Sequence, residues 1–167
     1  SVNSDQVVSI PDVPKIAQAK FTKACTVDLA IGVEKVSLPT SFDAAVAKCD
    51  QYSVVATARS GKFVAYEDLS AAGVDSVVSL YDLATKRVFT LDDYGDESVF
   101  DLAFLPNDRL LVLYSQGLSG TQRMRLYDVP SLEPLLKDVP AESDLDPEAL
   151  NPYVFERTLT DLPSTAK

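Results

Sequence analysis

The chain has 167 residues, of which 46% are hydrophobic, and it carries a formal net charge of −10 with no histidine. This length is enough to bury a substantial core, and the composition is typical of a folded globular protein. The charge argues against nucleic acid as a partner, because phosphate backbones attract basic surfaces. No apolar run approaches the roughly 18 residues needed to span a bilayer, so no membrane partner is expected.

Residues 1–50 contain three strand candidates that are separated by proline and glycine. The candidates are QVVSI (6–10), CTVDLAIG (25–32) and EKVSLP (34–39). Proline and glycine are the strongest local breaks in regular structure. We therefore expect one divergent sheet or an N-terminal extension here. SFDAAVAKCDQ (41–51) forms either a short helical turn or the entry into the next strand.

Two segments of similar pattern follow, residues 51–97 and 98–140, and each is predicted to hold four short antiparallel strands. The strands of the first are YSVVATA, FVAYED, SVVSLYDL and RVFTL; those of the second are SVFDLAF, RLLVLYS, RMRLYDV and PLLKDV. Turn residues separate them, and Asn107 and Asp108 tolerate a left-handed backbone. RLLVLYS (109–115) is continuously apolar, which is typical of a strand covered on both faces.

The third strand of both segments contains Leu-Tyr-Asp, and Tyr81 and Tyr127 are 46 residues apart (127 minus 81). A constant interval of this size is typical of repeat architectures. Both tyrosines are predicted to pack in the core with the hydroxyl group reaching the surface. Residues 141–167 are expected to form a turn, a last strand within PYVFERTLT (152–160) and a frayed tail.

About half of the chain, through SVFDLAFLPNDRLLVLYSQ…RMRLYDV and RSGKFVAYE…SLYDLATKRV, resembles degenerate blades of WD-repeat or TolB-like β-propellers. Tyr81-Asp82 and Tyr127-Asp128 stand where the WD family has Trp-Asp. The chain has no Gly-His dipeptide, tryptophan or histidine, so the hydrogen-bonded tetrad of strong WD repeats cannot form. The resemblance implies an all-β fold of antiparallel four-stranded blades in a partial β-propeller. A β-sandwich is the alternative.

A closed ring normally needs about four to eight blades, more than this chain supplies. The only methionine is Met124, so residue 1 does not correspond to an initiating methionine. We therefore expect the chain to be an excerpt of a larger protein. Either its missing blades or a partner chain would close the ring.

The absence of histidine excludes Ser-His-Asp and Cys-His nucleophilic sites. Two cysteines without histidine do not make a structural zinc site, and no phosphate-binding glycine motif occurs. We predict no catalytic residue, no cofactor and no metal. Cys25 and Cys49 are compatible with one disulfide or with two buried thiols. The absence of an Asn-x-Ser/Thr glycosylation site favours an intracellular protein, cytoplasmic or nuclear.

One carboxylate cluster lies in DDYGDE, between the two repeated segments, and consists of Asp92, Asp93, Asp96 and Glu97. Carboxylate oxygens are ligands for Ca²⁺, but the alternating spacing of an EF-hand loop is missing. A solvated loop is therefore the favoured interpretation. We predict that these four residues bind a partner protein with a basic surface.

The expected function is a non-catalytic protein–protein interaction scaffold that belongs to a larger protein or assembly. The alternative is a propeller module of an enzyme whose catalytic residues lie outside this chain. A third hypothesis is a secreted sandwich domain that is held by a Cys25–Cys49 disulfide. Free-thiol titration separates the third from the first, because two titratable thiols exclude the disulfide.

Overall fold

The computed structural model describes residues 13–70, 72–116 and 120–132, and the backbone of 154–158. Within these ranges the chain forms three antiparallel sheets. The first sheet consists of β1 (Ile16–Phe21), β2 (Val27–Ile31) and β3 (Glu34–Leu38). The second consists of β4 (Val55–Thr57), β5 (Phe63–Leu69), β6 (Ser76–Asp82) and β7 (Arg87–Gly95). The third consists of β8 (Ser98–Leu105), β9 (Arg109–Gln116), β10 (Thr121–Asp128) and β11 (Val154–Thr158).

The predicted all-β class is therefore confirmed. The second and third sheets each have four strands, and in each the neighbours in sequence are also neighbours in the sheet. Tyr81 lies on β6 and Tyr127 on β10, the third strands of two different sheets. The described part of the chain contains no helix with the length and apolar character required to cross a membrane.

The strand predictions need two corrections. Strand β1 was not predicted, because the positions that alternate with Gln18 and Lys20 are mostly alanines, which are depleted in strands, and a bulge shifts the register after Ile16. The strand beside β10 is β11, whose Val154 pairs with Tyr127, rather than PLLKDV. The prediction for PLLKDV (134–139) lies outside the described residues, as do those for 6–10 and 141–150.

Local turn chemistry agrees with the sequence. Asn107 and Asp108 have φ angles of 65° and 57°, in the left-handed region that asparagine and aspartate tolerate better than most residues. They close the hairpin between β8 and β9 in a short 3-10 turn. Of the two alternatives for 41–51, a short helical turn is present at the end of this stretch, where α1 spans Cys49–Tyr52.

The three sheets stack face to face in chain order. Val64, Tyr66 and Tyr81 of the second sheet pack against the apolar face of the first. The opposite face of the second sheet, including Ala65 and Leu80, packs against the third. The second sheet is therefore buried on both sides. The first strands of the three sheets also lie side by side in chain order, since β4 contacts both β1 and β8.

Candidate functional site

The acidic segment (residues 92–97) does not form one loop. Asp92 and Asp93 belong to β7, which continues to Gly95, and only residues 96 and 97 make the turn into β8. The Asp92 side chain is 19% exposed, whereas Asp93 and Asp96 are exposed to solvent. Glu97 is half-buried, and its backbone N–H donates to the carbonyl of Tyr94. The four predicted partner-binding residues thus have different environments.

Asp92 points from the second sheet toward β10 of the third. Its Oδ2 accepts a hydrogen bond from Arg125 Nη1 at 2.9 Å and another from the Tyr127 hydroxyl. Its Oδ1 accepts the backbone N–H of Asp93 at 2.9 Å. Both carboxylate oxygens are therefore used inside the protein, and this residue joins two sheets.

The Tyr94 and Tyr127 hydroxyl oxygens lie 2.6 Å apart. Each hydroxyl has one proton, and that of Tyr127 goes to Asp92, so Tyr94 donates to Tyr127. Burial raises the pKa of both tyrosines well above the ordinary value. Both phenols therefore remain neutral donors at any physiological pH. Tyr127 is 0% exposed, so the prediction that its hydroxyl reaches the surface was wrong.

The Arg125 guanidinium lies over two aromatic rings that contact each other, since the ring centroids of Tyr94 and Tyr114 are 4.9 Å apart. Its Cζ lies 4.8 Å from the centroid of Tyr94 and 5.1 Å from that of Tyr114. A cation in this position is attracted by the negative face of each ring. The charge is also compensated by Asp92, so a partly buried ion pair and two neutral phenols form one network. We name Asp92, Tyr94, Tyr114, Arg125 and Tyr127 the inter-sheet cluster.

The chemistry of the inter-sheet cluster indicates a structural role, in which it links the second and third sheets. A carboxylate that already accepts from an arginine, a tyrosine and a backbone N–H has little capacity left for a ligand. Within the ranges that the structure describes, no group of three or more cysteine, aspartate or glutamate side chains is arranged to hold a metal ion. The exposed remainder of the acidic segment is Asp93 and Asp96.

The Leu-Tyr-Asp repeat has a structural basis in the turn that follows each third strand. Asp82 accepts hydrogen bonds from the N–H of Ala84 and the hydroxyl of Thr85. Asp128 accepts a hydrogen bond from the Ser131 hydroxyl at 2.8 Å, three residues later as in the first copy. Aspartate is favoured at such turns because its short side chain bonds the backbone and hydroxyls just ahead of it.

The two tyrosines of the repeat also have equivalent positions. Tyr127 pairs with Leu110, and Tyr81 pairs with Val64, so each lies beside the start of the second strand of its sheet. Each faces the sheet that precedes it in the chain. Burial raises the pKa of Tyr81, and nearby carboxylates, including Glu34 on β3, raise it further.

The two cysteines form a disulfide, with a distance of 5.2 Å between the Cα atoms of Cys25 and Cys49. The bond joins the turn between β1 and β2 to the start of α1. Both residues are buried, at 2% and 1% exposure. This settles the alternative that the sequence left open.

The connection from the first sheet to the second, residues 39–54, is held by two carboxylates of β5. Asp68 Oδ1 accepts the N–H of Ser41 at 2.7 Å, and Glu67 Oε1 accepts the N–H of Val54 at 2.9 Å. Burial raises the pKa of Glu67 to about 7. The Val54 N–H stabilises the ionised carboxylate and therefore lowers this pKa, but by less than burial raises it. Burial likewise raises the pKa of Asp68. Glu67 therefore changes charge near neutral pH.

Glu67 should make the protein more stable at pH 5 than at pH 8. A raised carboxyl pKa means that the folded state holds the proton more tightly than the unfolded state. The resulting stabilisation is complete below about 4.5 and is lost as the pH rises through about 7. We expect the free energy of unfolding to fall by about 2 kcal/mol over this range, after allowing for partial exposure. Urea denaturation at both pH values measures it.

Glu67→Gln keeps an oxygen acceptor for Val54 but cannot ionise, so this pH dependence should largely disappear in that variant. Asp50→Asn, which changes an exposed carboxylate on α1, is the matched control and should retain it. An unchanged pH profile in Glu67→Gln would assign the dependence to another group.

Sequence reasoning singled out Asp92 and Tyr127 but missed Tyr94, Tyr114 and Arg125. A signal for Arg125 was present, because residues two apart on a strand share a face and Arg125 precedes Tyr127 by two. Tyr94 has the same relation to Asp92 on β7. The sequence does not show how the third sheet packs on the second. That packing brings Asp92 and Tyr94 of β7 beside Arg125 and Tyr127 of β10.

Comparison with protein-family models, with curated proteins and with solved structures finds no match to this chain. The proposals below therefore rest on the geometry of the described residues.

Proposed function

We propose that this chain is a non-catalytic protein-interaction scaffold made of the blades of a partial, degenerate WD-repeat-like or TolB-like β-propeller. The observation that carries the proposal is the stacking of successive sheets. Their first strands, β1, β4 and β8, adjoin in order, and β4 contacts both of the others. Blades around an axis have this arrangement, because the first strand of each blade lines the centre. A β-sandwich has two packed sheets, whereas here the second sheet is covered on both faces.

The inter-sheet cluster supports the same proposal by its position. Asp92 and Tyr94 come from the fourth strand of one sheet, and Arg125 and Tyr127 from the third strand of the next. Polar bonds and ring contacts therefore link the outer parts of the two sheets, away from β4 and β8. A rigid relative position of neighbouring blades is what a scaffold needs to present its loops to a partner.

The exposed acidic residues suggest a basic partner. Asp93 and Asp96 project beside the turn between the second and third sheets, and the whole chain has a net charge of −10. Complementary charge steers association and sets register, although it adds modestly to affinity. We propose that a basic surface of another protein docks at this turn, while Asp92 holds the turn in place from inside.

The disulfide supports a proposal for the compartment that differs from the one the glycosylation pattern favours. Disulfides persist in oxidising compartments and are rare in the cytosol. The Cys25–Cys49 bond therefore favours an extracytoplasmic or otherwise oxidising location, and it weighs against the intracellular prediction. Free-thiol titration of the denatured, non-reduced protein checks this: two titratable thiols would restore the intracellular proposal.

Binding of a fluorescent oligolysine peptide tests the docking proposal. Asp93→Asn with Asp96→Asn should weaken binding severalfold at low salt, because each exposed charge adds a screened attraction. Anisotropy titration measures the dissociation constant. Glu34→Gln with Asp50→Asn removes two exposed charges elsewhere and serves as the matched control. Equal weakening in both double variants would show that only net charge matters and would remove the proposed site.

A further inference from the structure

The second and third sheets correspond residue by residue, so each face of one has a counterpart in the other. Pairing of Tyr81 with Val64 and of Tyr127 with Leu110 fixes the correspondence. In the second sheet, the face toward the third includes Ala65, Val78 and Leu80, all 0% exposed. The corresponding positions in the third sheet face away from the second. They carry Leu111, Met124 and Leu126.

The outward face of the third sheet is apolar and incompletely covered. Its strand register places five apolar side chains together, and all five are half-buried: Ala103, Leu111, Leu113, Met124 and Leu126. We name these residues the outer apolar face. The sequence of β9 predicts a strand covered on both sides, but Leu110, Val112 and Tyr114 on the inner side are the buried ones. The apolar composition of β9 therefore indicates that a second layer of protein covers its outer side.

The outward face of the first sheet is different. The side chains on it are mostly polar: Gln18, Lys20, Asp28, Ala30, Lys35 and Ser37. Asp28 accepts hydrogen bonds there from Ser37 and Thr26. Such a face resembles the polar outer surface of a terminal repeat, which needs no neighbour. Packing the outer apolar face of one copy on this polar face of another would desolvate charges without partners.

The rim of the outer apolar face is self-complementary. Arg109 and Asp128 lie directly opposite each other on β9 and β10, at one end of the apolar block. A two-fold axis along the strands between β9 and β10 sets β9 of one copy over β10 of the other. Arg109 then lies over Asp128 of the second copy, and the reverse, as an isologous interface requires.

We propose that the outer apolar face is a dimer interface, on which the third sheet of a second copy of this chain packs face to face. This inference goes beyond the proposed function, because it pairs the third sheets of two copies and does not describe the closure of a ring of blades. A dimer of this kind stacks six sheets with a polar face at each end. Contiguous apolar patches with a polar rim mark interaction sites on protein surfaces.

Sedimentation equilibrium of the 167-residue chain, from about 1 µM to about 100 µM, tests the proposal. We expect a monomer–dimer equilibrium. Leu126→Lys should raise the dimer dissociation constant at least tenfold, because it places a charge in the centre of the interface. Ala30→Lys puts the same charge on the central strand of the first sheet and should leave the constant unchanged.

The charge pair supplies a second readout that needs no change in the apolar block. Arg109→Asp should weaken the dimer severalfold, and adding Asp128→Arg should restore part of the loss. Circular dichroism of each variant verifies folding; if Leu126→Lys does not fold, Leu113→Lys replaces it. A chain that is monomeric throughout, open-ended oligomers, or dissociation by Ala30→Lys alone would each overturn the proposal. The oligolysine experiment is independent, so loss of the dimer leaves the acidic docking site standing.

Discussion

Tyr127→Ala is expected to lower the free energy of unfolding by about 3–5 kcal/mol, the range for removing a large buried side chain. Tyr127 is 0% exposed and lies in the core between the second and third sheets. Its removal leaves a cavity against Leu110 and takes the hydroxyl from Asp92 and Tyr94. Because one residue supplies both effects, this should be among the most damaging substitutions in the chain. Urea denaturation measures the loss.

Tyr127→Phe separates packing from hydrogen bonding. The ring remains, so only the two hydroxyl contacts are lost, one of them to a carboxylate. Hydrogen bonds to charged groups contribute about 1.5–3 kcal/mol, and the phenylalanine variant should lie near the lower end because Arg125 still pairs with Asp92. A Tyr127→Ala protein with wild-type stability but altered partner binding would reverse the structural role assigned here. A phenylalanine variant as unstable as alanine would place the whole effect in the hydroxyl group.

The strands of the second and third sheets could be predicted because local signals agree there. Alternating or continuous apolar residues, bounded by Asn107-Asp108 or by Asp82 and Thr85, specify strand and turn within a few residues. Strand β1 gave a weak signal, since the apolar positions between its buried ends, Ile16 and Phe21, are alanines, which are depleted in strands. Its position depends on pairing with β2, which is tertiary information.

The cluster and the fourth strand of the third sheet could not be predicted for a related reason. Asp92 looked like a loop carboxylate because nothing in DDYGDE reveals that Arg125, 33 residues later, lies beside it. Strand β11 was predicted as a strand, yet its neighbour was not, because PLLKDV was nearer in sequence to β10. Sequence distance sets which pairing looks simplest, whereas the sheet register sets which pairing forms.

The disulfide carries the second large expected effect. Cys25 and Cys49 are separated by 24 residues, and a crosslink of this span restricts the unfolded chain enough to stabilise a fold by about 3 kcal/mol. The closed loop includes β2 and β3, whose sheet has three strands rather than four. Thr40 also bonds the carbonyl of Cys25, so the connection to α1 is fixed at two points. Cys25→Ala with Cys49→Ala should therefore unfold at clearly lower urea concentration.

The double substitution is preferable to a single one, because one alanine would leave a reactive thiol at a buried position. Reducing the wild-type protein and blocking its thiols with a small alkyl group is a less suitable comparison. The alkyl group would add bulk at two buried positions. The second and third sheets share a separate core that does not include either cysteine. Limited proteolysis should consequently show early cleavage within 41–52 in the double-alanine variant, while the strands from β4 to β11 persist in a protected fragment. Equal stability of the variant and the wild type, or cleavage spread evenly along the chain, would mean that the first sheet is held by its contacts with Val64 and Tyr66 and not by the crosslink.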